Sequence, residues 1–363
     1  VAAIPRVSPS EAEEIALKHY GASGSAERLA AEHDDTFRFV TRGGALRLLK
    51  ISVIDELSDA GPDLVSFQTA ILLHLASVAP QLPVQRVAAT RDGAPEVRIS
   101  SGGTPRLVRM TTWLDGDLLS RGATTAALRR DLGATLGRLS IALRGLSHPG
   151  ARRTHLWDLQ NLWRLRDLLD ELPESGLLPE VLQALPAGPP VPARGLRAGL
   201  ADYLDRFNAV VRPVLAQTRT QVIHTDFHGE NLLTGSGRIA GILDFGDALA
   251  GPVAMDVGVA ACYQLGTLGT GPDLLAPALD VVAGYHAADP LSFGDLNLAA
   301  EFLVARTVAR IIVSQWNALR EPANRGYLLR RTPQAVGHFA ALRLLTPDEI
   351  ARTLRAACSE VHQ

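Results

Sequence analysis

The sequence predicts an α+β chain of two unlike lobes, a small antiparallel-sheet lobe followed by a large, mainly helical one. Three observations carry this expectation. The 363 residues are 47% hydrophobic and 20% charged, more than one core can use, since single cores stop growing near ~250–300 residues. Apolar and polar residues alternate through 36–51, whereas from about Asp115 onward apolar residues recur at helical spacing. One compact strand-like stretch, 221–246, interrupts the helices. The expected division is 1–108 for the first lobe, 109–118 for a crossing segment and 119–363 for the second lobe.

Taken in order, Ser8-Pro9-Ser10-Glu11 reads as a capped helix start that Gly21 closes. Thr36–Thr41 and Ala45–Ile51, joined through Gly43-Gly44, form a β-hairpin pattern. Asp63 then caps a helix whose apolar stripe is Leu64, Phe67, Ile71, Leu72 and Leu75, and Gln68 lies inside that stripe as a polar group needing a partner. Strands are expected near 84–90, 96–100 and 105–112, with turns at Asp92-Gly93 and Ser101-Gly102-Gly103. Helices are expected over 124–145, 156–171, 197–216, 253–265 and 296–320, with a Pro/Gly-rich surface excursion at 183–195.

Several function classes are excluded. With 36 basic and 38 acidic side chains the net charge is −2, so the chain has no general attraction to nucleic acid or to an anionic membrane. Cys262 and Cys358 are too few for a disulfide framework or a zinc site, which suits a reducing cytoplasm. The N-terminal residues lack a signal-peptide pattern and no stretch approaches a membrane span, so a cytoplasmic location is expected. The basic residues are lopsided: 34 arginines against two lysines, Lys18 and Lys50. Lys18, among Glu13, Glu14 and His19, reads as a surface residue.

Chemistry concentrates in 221–247, QVIHTDFHGENLLTGSGRIAGILDFGD. Asp226 and Asp244 each end a short strand, Val222-Ile223 leading to the first and Ile239–Leu243 to the second, and the turn Gly235-Ser236-Gly237 brings the two acids close, with Asn231 between. Phosphoryl transfer needs such a set, a carboxylate near the attacking hydroxyl plus a carboxylate and an amide oxygen for magnesium. H-x-D-x-x-x-x-N followed by D-F-G is the loop signature of kinase-type phosphotransferases. As ordinary structure, Asp226 and Asn231 would be turn formers and Asp244 a strand-end cap. Lys50, within the run LRLLKI, is placed to meet phosphates; its structural alternative is snorkelling at a sheet edge.

On these residues the chain resembles the aminoglycoside phosphotransferase/choline kinase family, small-molecule kinases of the protein-kinase-like two-lobe fold, and within it the hydroxylysine kinases. The likeness extends through EHDDTFRF (32–39), LLK (48–50), QTAILLHL (68–75), LVRMTTWLDGDLL (107–119), WDLQNL (157–162), HTDFHGEN, GILDFGD (241–247) and YLLRRT (327–332). It implies that Asp226 orients or deprotonates the acceptor hydroxyl, that Asn231 and Asp244 hold Mg2+, and that Lys50 binds the α- and β-phosphates of ATP or GTP. The 109–114 segment would be the hinge whose backbone reads the purine, with Met110, Thr112 and Trp113 beside the base; Met110 and Trp113 are equally ordinary core residues.

Three departures from the kinase pattern stand out. There is no G-x-G-x-x-G, so phosphate contact is expected from backbone amides around Thr36 and Phe37. Gln68 stands where a glutamate usually orients the strand lysine, leaving Lys50 less firmly held unless Asp63 or Glu56 assists. Thr225 takes a place often filled by glycine and is a candidate substrate contact, as is His228. Asp247 is either an acceptor-site acid or the cap of 253–265, and Asp256 reads as an acid bracing the catalytic loop through His224. Arg306 and Arg310 share a helix face, as substrate ligands or as solvated surface.

The partners expected are a nucleotide and a small hydroxylated molecule. Between 248 and 346 seven acids (Asp256, Asp273, Asp280, Asp289, Asp295, Glu301, Glu321) face seven arginines, a balance that argues against a polycationic acceptor. A hydroxy amino acid or amino alcohol fits. The alternative is a hydroxylated natural product, such as a nucleoside antibiotic or an aminoglycoside, in a resistance role. A pseudokinase would lack one of Lys50, Asp226, Asn231 or Asp244, and all four are present.

Overall fold

The computed structural model describes residues 5–30, 34–54, 61–185, 193–266 and 274–359. Ten strands occur among them: β1 (Gly24–Arg28), β2 (Asp35–Thr41), β3 (Leu46–Val53), β4 (Val97–Ser101), β5 (Thr104–Thr112), β6 (Asp117–Leu118), β7 (Thr220–Ile223), β8 (Leu232–Gly235), β9 (Arg238–Ile242) and β10 (Leu249–Pro252). The chain forms two compact units, one of Val1–Leu118, Gly145–Arg153 and Glu230–Ala248, the other of Leu119–Arg144, Thr154–Gly229 and Leu249–Gln363. A single cut at 119 would have assigned Glu230–Ala248, with Asn231 and Asp244, to the helical lobe; the contacts place it in the strand-rich unit.

In that unit, helix α1 (Pro9–Tyr20) starts where the Ser8 hydroxyl accepts from the Glu11 amide at 3.2 Å and ends on Gly21 at φ 66°. Lys18 lies exposed in its last turn, where a cation complements the helix dipole. The antiparallel sheet runs β1-β2-β3-β5-β4. The β2–β3 hairpin sets Thr36 opposite Lys50 and turns through Gly44 at φ 82°, a conformation that favours glycine. Strand β1 escapes a sequence pattern because GSAER does not alternate; Gly24 nonetheless packs so tightly on β2 that a Cβ would lie 2.0 Å from the Val40 carbonyl oxygen. The strand expected at 84–90 makes only isolated bridges, Val84 to Ile242 and Val87 to Thr111. Helix α2 (Gly61–Val78) begins ahead of Asp63, which therefore sits in its first turn and not at its cap.

Strand alternation gives the sheet two different faces. Phe37, Phe39, Leu49, Ile51, Val108 and Met110 pack with Val7, Ala12, Ile15 and Ala16 of the α1 side. Their neighbours Thr36, Lys50 and Arg109, paired across β2, β3 and β5, point to the other face. One polar group is sunk among the apolar ones. Asp35 accepts from the Val7 amide at 3.0 Å and pairs with Arg28 at 2.6 Å and Arg106 at 2.9 Å.

The second unit is helical: α3 (Ala126–Leu143), α4 (Leu165–Asp170), α5 (Pro179–Gln183), α6 (Ala193–Arg206), α7 (Val253–Cys262), α8 (Ala276–Ala288), α9 (Phe293–Arg320), α10 (Arg325–Leu329), α11 (Thr332–Leu342) and α12 (Pro347–Ser359). Residues 156–171 become a 3-10 turn, Leu159–Arg164, leading into α4. The helix expected over 197–216 ends at Arg206 and continues as a π turn and a 3-10 turn, where Pro213 withholds an amide. Helices α7 and α9 approach closely at Gly258, whose Cβ would lie 2.7 Å from the Ala299 carbonyl oxygen. A Ser292–Asp295 capping box starts α9. Among the described residues, no helix is long and apolar enough to cross a membrane.

Candidate active site

In the strand-rich unit the chemistry gathers around Lys50. Its ammonium lies 2.8 Å from the Asp34 carboxylate, 3.4 Å from Gln68 Oε1 and 3.9 Å from the Asp244 carboxylate. Asp34 and Asp35 are consecutive, so alternation sends one to Lys50 and the other into the α1-side core. Gln68 is shared: Arg109 donates to the same oxygen at 3.1 Å and to Thr69 Oγ1 at 2.8 Å. Burial pulls the Arg109 guanidinium below its ordinary pKa, against the opposing pull of Glu96, Asp34 and Asp244. The carboxylate that secures Lys50 is thus Asp34. Asp63 is exposed in the first turn of α2, and Glu56 lies outside the described residues.

Asn231 and Asp244 flank the paired strands β8 and β9, and the Leu243 amide donates to the Asn231 carbonyl at 2.9 Å, which ties the residue before Asp244 to Asn231. Asp244 adopts φ 53°, accepts from the Gly246 amide at 2.9 Å and leaves its side chain 53% exposed. One carboxylate and one amide oxygen are hard donors, and Mg2+ typically takes one or two such protein ligands and fills its shell with phosphates and water. The donor set therefore fits that ion. Asp247, in the same unit, lies 3.9 Å from Arg153; the N-cap position of helix α7 is Pro252, with no side-chain cap, so Asp247 is not that cap.

The loop that carries Asp226 belongs to the helical unit. The Asp256 carboxylate, on α7, accepts from the backbone amides of His224 at 2.9 Å and Thr225 at 2.6 Å. That bracing acts on the main chain, and burial raises the Asp256 pKa while those two amides pull it back. Thr225 has φ 66°, a conformation that favours glycine, and its side chain is buried at 1% exposure. His224 is fully buried, edge-on to Phe227, and its Nδ1 accepts from the Asp226 amide at 3.3 Å.

Both oxygens of Asp226 are engaged. His228 Nε2 lies 3.0 Å from Oδ2, and Arg306 Nη2 lies 2.5 Å from Oδ1 and donates also to the Tyr263 hydroxyl at 3.0 Å. The His228 ring sits 4.5 Å from that of Tyr263, and the Arg306 guanidinium lies 4.6 Å over Trp157. Burial would raise the Asp226 pKa, yet His228 and Arg306 together hold it well below the usual carboxylate range. Arg306 is 2% exposed and Arg310 6%, so the solvated-face alternative for this pair is wrong. Arg306 was legible as one of a pair on a helix face; its bond to Asp226, 80 residues away, was not.

Other expectations change with the geometry. Met110 is 2% exposed on the α1 face, opposite Lys50, and its carbonyl accepts from Ala88 at 2.9 Å, so it does not lie beside a base bound on the Lys50 face. Thr112 is likewise committed, its amide to the Arg86 carbonyl at 2.8 Å and its hydroxyl to the Arg86 amide at 2.9 Å. Thr36 and Phe37 lie inside the ladder between β1 and β3, with Phe37 buried in the core and the Thr36 carbonyl taken by Leu29 at 2.8 Å. Trp113, in the segment expected as the hinge, meets the Lys50 face through an Arg38 guanidinium 5.8 Å over its ring. Sequence reading missed Asp34 as the lysine's partner and Arg109 as the second buried cation; period-two alternation from Lys50 across the hairpin was the available signal.

Residues 25–296 match the model of the phosphotransferase enzyme family APH. The chain belongs to this family. It is a small-molecule phosphotransferase acting on an alcohol group, with the kinase-like arrangement of a small sheet lobe and a helical lobe. It is 23% identical over 299 residues to the hydroxylysine kinase of Mus musculus, covering 78% of this chain and 73% of that protein. Among solved structures it is similar to a microcompartment-associated aminopropanol kinase (TM-score 0.63, 18% identity, 97% of this chain and 99% of that one). It is also similar to an amicoumacin kinase in complex with AMP-PNP, Ca2+ and amicoumacin (TM-score 0.61, 15% identity, 88% and 92%).

Proposed function

We propose that this phosphotransferase moves the γ-phosphoryl group of ATP or GTP to a hydroxyl of a hydroxy amino acid or amino alcohol. The observation that carries the acceptor class is the setting of Asp226. The groups packed around it are Arg306 and the aromatic rings of Trp157 and Tyr263, with Arg310 over the same tyrosine. Such a setting repels a polycation and suits a small acceptor carrying one or two ammonium groups at most. The hydroxylysine kinase similarity points the same way.

In this reading the strand-rich unit holds the nucleotide. Lys50 takes its α- and β-phosphates, exchanging Asp34 for phosphate oxygen, and Trp113 lies nearest the base. Mg2+, held by Asn231 and Asp244, would neutralise charge on the phosphates. In the transfer, a bond forms between the acceptor oxygen and the γ-phosphorus while the bond from that phosphorus to the bridging oxygen breaks, and the nucleoside diphosphate leaves. Asp226, with both oxygens occupied and its pKa depressed, is a weak base. Its work is to hold the hydroxyl in line and to receive the proton late, which a loose transition state tolerates.

Two measurements check the reading. Lys50→Arg keeps the charge but replaces a compact donor by a planar fork, so nucleotide kcat/KM should fall about 10- to 100-fold; an unchanged nucleotide KM would remove Lys50 from the site. A diphosphate-release screen should find turnover with L-hydroxylysine or amino alcohols. Turnover confined to aminoglycosides or nucleoside antibiotics would shift the assignment to the resistance reading, which draws on the fold likeness to the amicoumacin kinase.

A further inference from the structure

Four arginines are buried among the described residues: Arg106, Arg109, Arg306 and Arg310. Three of them have oxygen partners. Arg106 meets Asp35, Arg109 meets Gln68 and Thr69, and Arg306 meets Asp226. Arg310 stands apart. It is 6% exposed, and among the described residues its guanidinium has an aromatic contact, 4.8 Å over the Tyr263 ring, with no carboxylate, carbonyl or hydroxyl accepting from it. Among the described residues, the titratable groups recorded beside it, Tyr263 and His338, supply no negative charge. Burial holds Tyr263 as a neutral phenol, and His338 is neutral as well, its pKa lowered to about 4 by burial and by the Arg310 charge. A largely buried guanidinium with no counter-ion beside it is incompletely compensated, and an anion supplied from outside would pair it.

Position says where that anion comes from. Arg310 follows Arg306 by one helical turn on α9, both guanidinium groups lie over the same tyrosine ring, and Arg306 is bonded to Asp226. We propose that Arg310 recognises a carboxylate on the acceptor, so that the enzyme selects hydroxy amino acids over carboxylate-free amino alcohols. This deepens the function proposed above and rests on it. An acceptor whose hydroxyl is held at Asp226 meets Arg310 roughly one turn, about 5.4 Å, further along the helix. That span matches a hydroxyl and a carboxylate separated by several carbons better than the two of a β-hydroxy acid. A planar guanidinium is suited to take both carboxylate oxygens.

The test compares matched acceptors that differ by the carboxylate: L-hydroxylysine against 1,5-diaminopentan-2-ol, and L-homoserine against 3-aminopropan-1-ol. The wild-type enzyme should favour the amino acid of the better pair by roughly 30- to 1,000-fold in kcat/KM. Arg310→Gln should abolish that preference, chiefly through KM for the amino acid, and leave the carboxylate-free partner within about threefold. Arg310→Lys, which keeps a buried cation, should restore part of it, a split that damage to packing would not produce. Equal wild-type turnover of both members of a pair, or a preference that survives in Arg310→Gln, overturns the proposal while leaving the phosphotransferase reading intact. Absence of turnover with all four compounds, with transfer seen to another acceptor class, overturns the acceptor reading itself and this inference with it.

Discussion

Asp226→Asn should lower kcat by about 10²- to 10⁴-fold while the nucleotide KM stays within a few-fold. The substitution is isosteric, and the amide oxygen can still accept from Arg306, so the loop held by Asp256 keeps its shape. What disappears is the negative charge and the acceptor facing His228 at 3.0 Å. A hydroxyl held in line by a carboxylate has a destination for its proton; one held by an amide does not. A pH series separates this from misfolding. Burial raises the Asp226 pKa, but His228 and Arg306 outweigh it and the folded value lies below the ordinary 3.8. The stabilisation from the ionised form is thus fully present above the ordinary value and is lost as pH falls through the depressed one. The stability advantage of the wild type over Asp226→Asn should be flat near neutrality and shrink only in strong acid.

The second large effect is on folding. Asp35→Ala should destabilise the strand-rich unit by about 3–5 kcal/mol, because it strands the buried Arg106 and frees the Val7 amide. Arg106 also donates to the Pro5 carbonyl and Arg28 to that of Val7, so one carboxylate fastens the chain ahead of α1 to the sheet. Urea unfolding reads this directly, and a loss under 1 kcal/mol would contradict it. The neighbouring Asp34→Ala is the control. Its carboxylate is partly exposed beside Lys50, so stability should change little while the nucleotide KM responds.

These two aspartates show what the sequence made legible. Alternation in β2 and β3 predicted the hairpin and put Lys50 on it, and the capping pattern at Ser8 and Gly21 marked α1 to the residue. The H-x-D-x-x-x-x-N and D-F-G spacing singled out Asp226, Asn231 and Asp244 as candidates because phosphoryl transfer demands oxygen donors at short range along the chain. What depends on distant partners was not legible. Nothing near Asp226 in sequence announces Arg306, and nothing near Gln68 announces Arg109, because a long helix and a later strand deliver them. Met110 was left open between base contact and core for a different reason: a side chain's face is fixed by register, and the register of β5 on β3 only becomes definite once Lys50 is seen opposite Arg109. The departure of Thr225 from glycine was legible in the sequence; its positive φ and its burial, which depend on the fold of the loop, were not.

The most direct test of the central claim is phosphorus NMR of the purified protein with L-hydroxylysine, Mg2+ and ATP, repeated with GTP. The expected result is a phosphate monoester resonance that grows as the γ-phosphate signal falls, and that is absent with Asp226→Asn. The contradicting result is a monoester formed at the wild-type rate by Asp226→Asn, or inorganic phosphate as the sole product with every hydroxylated amine supplied.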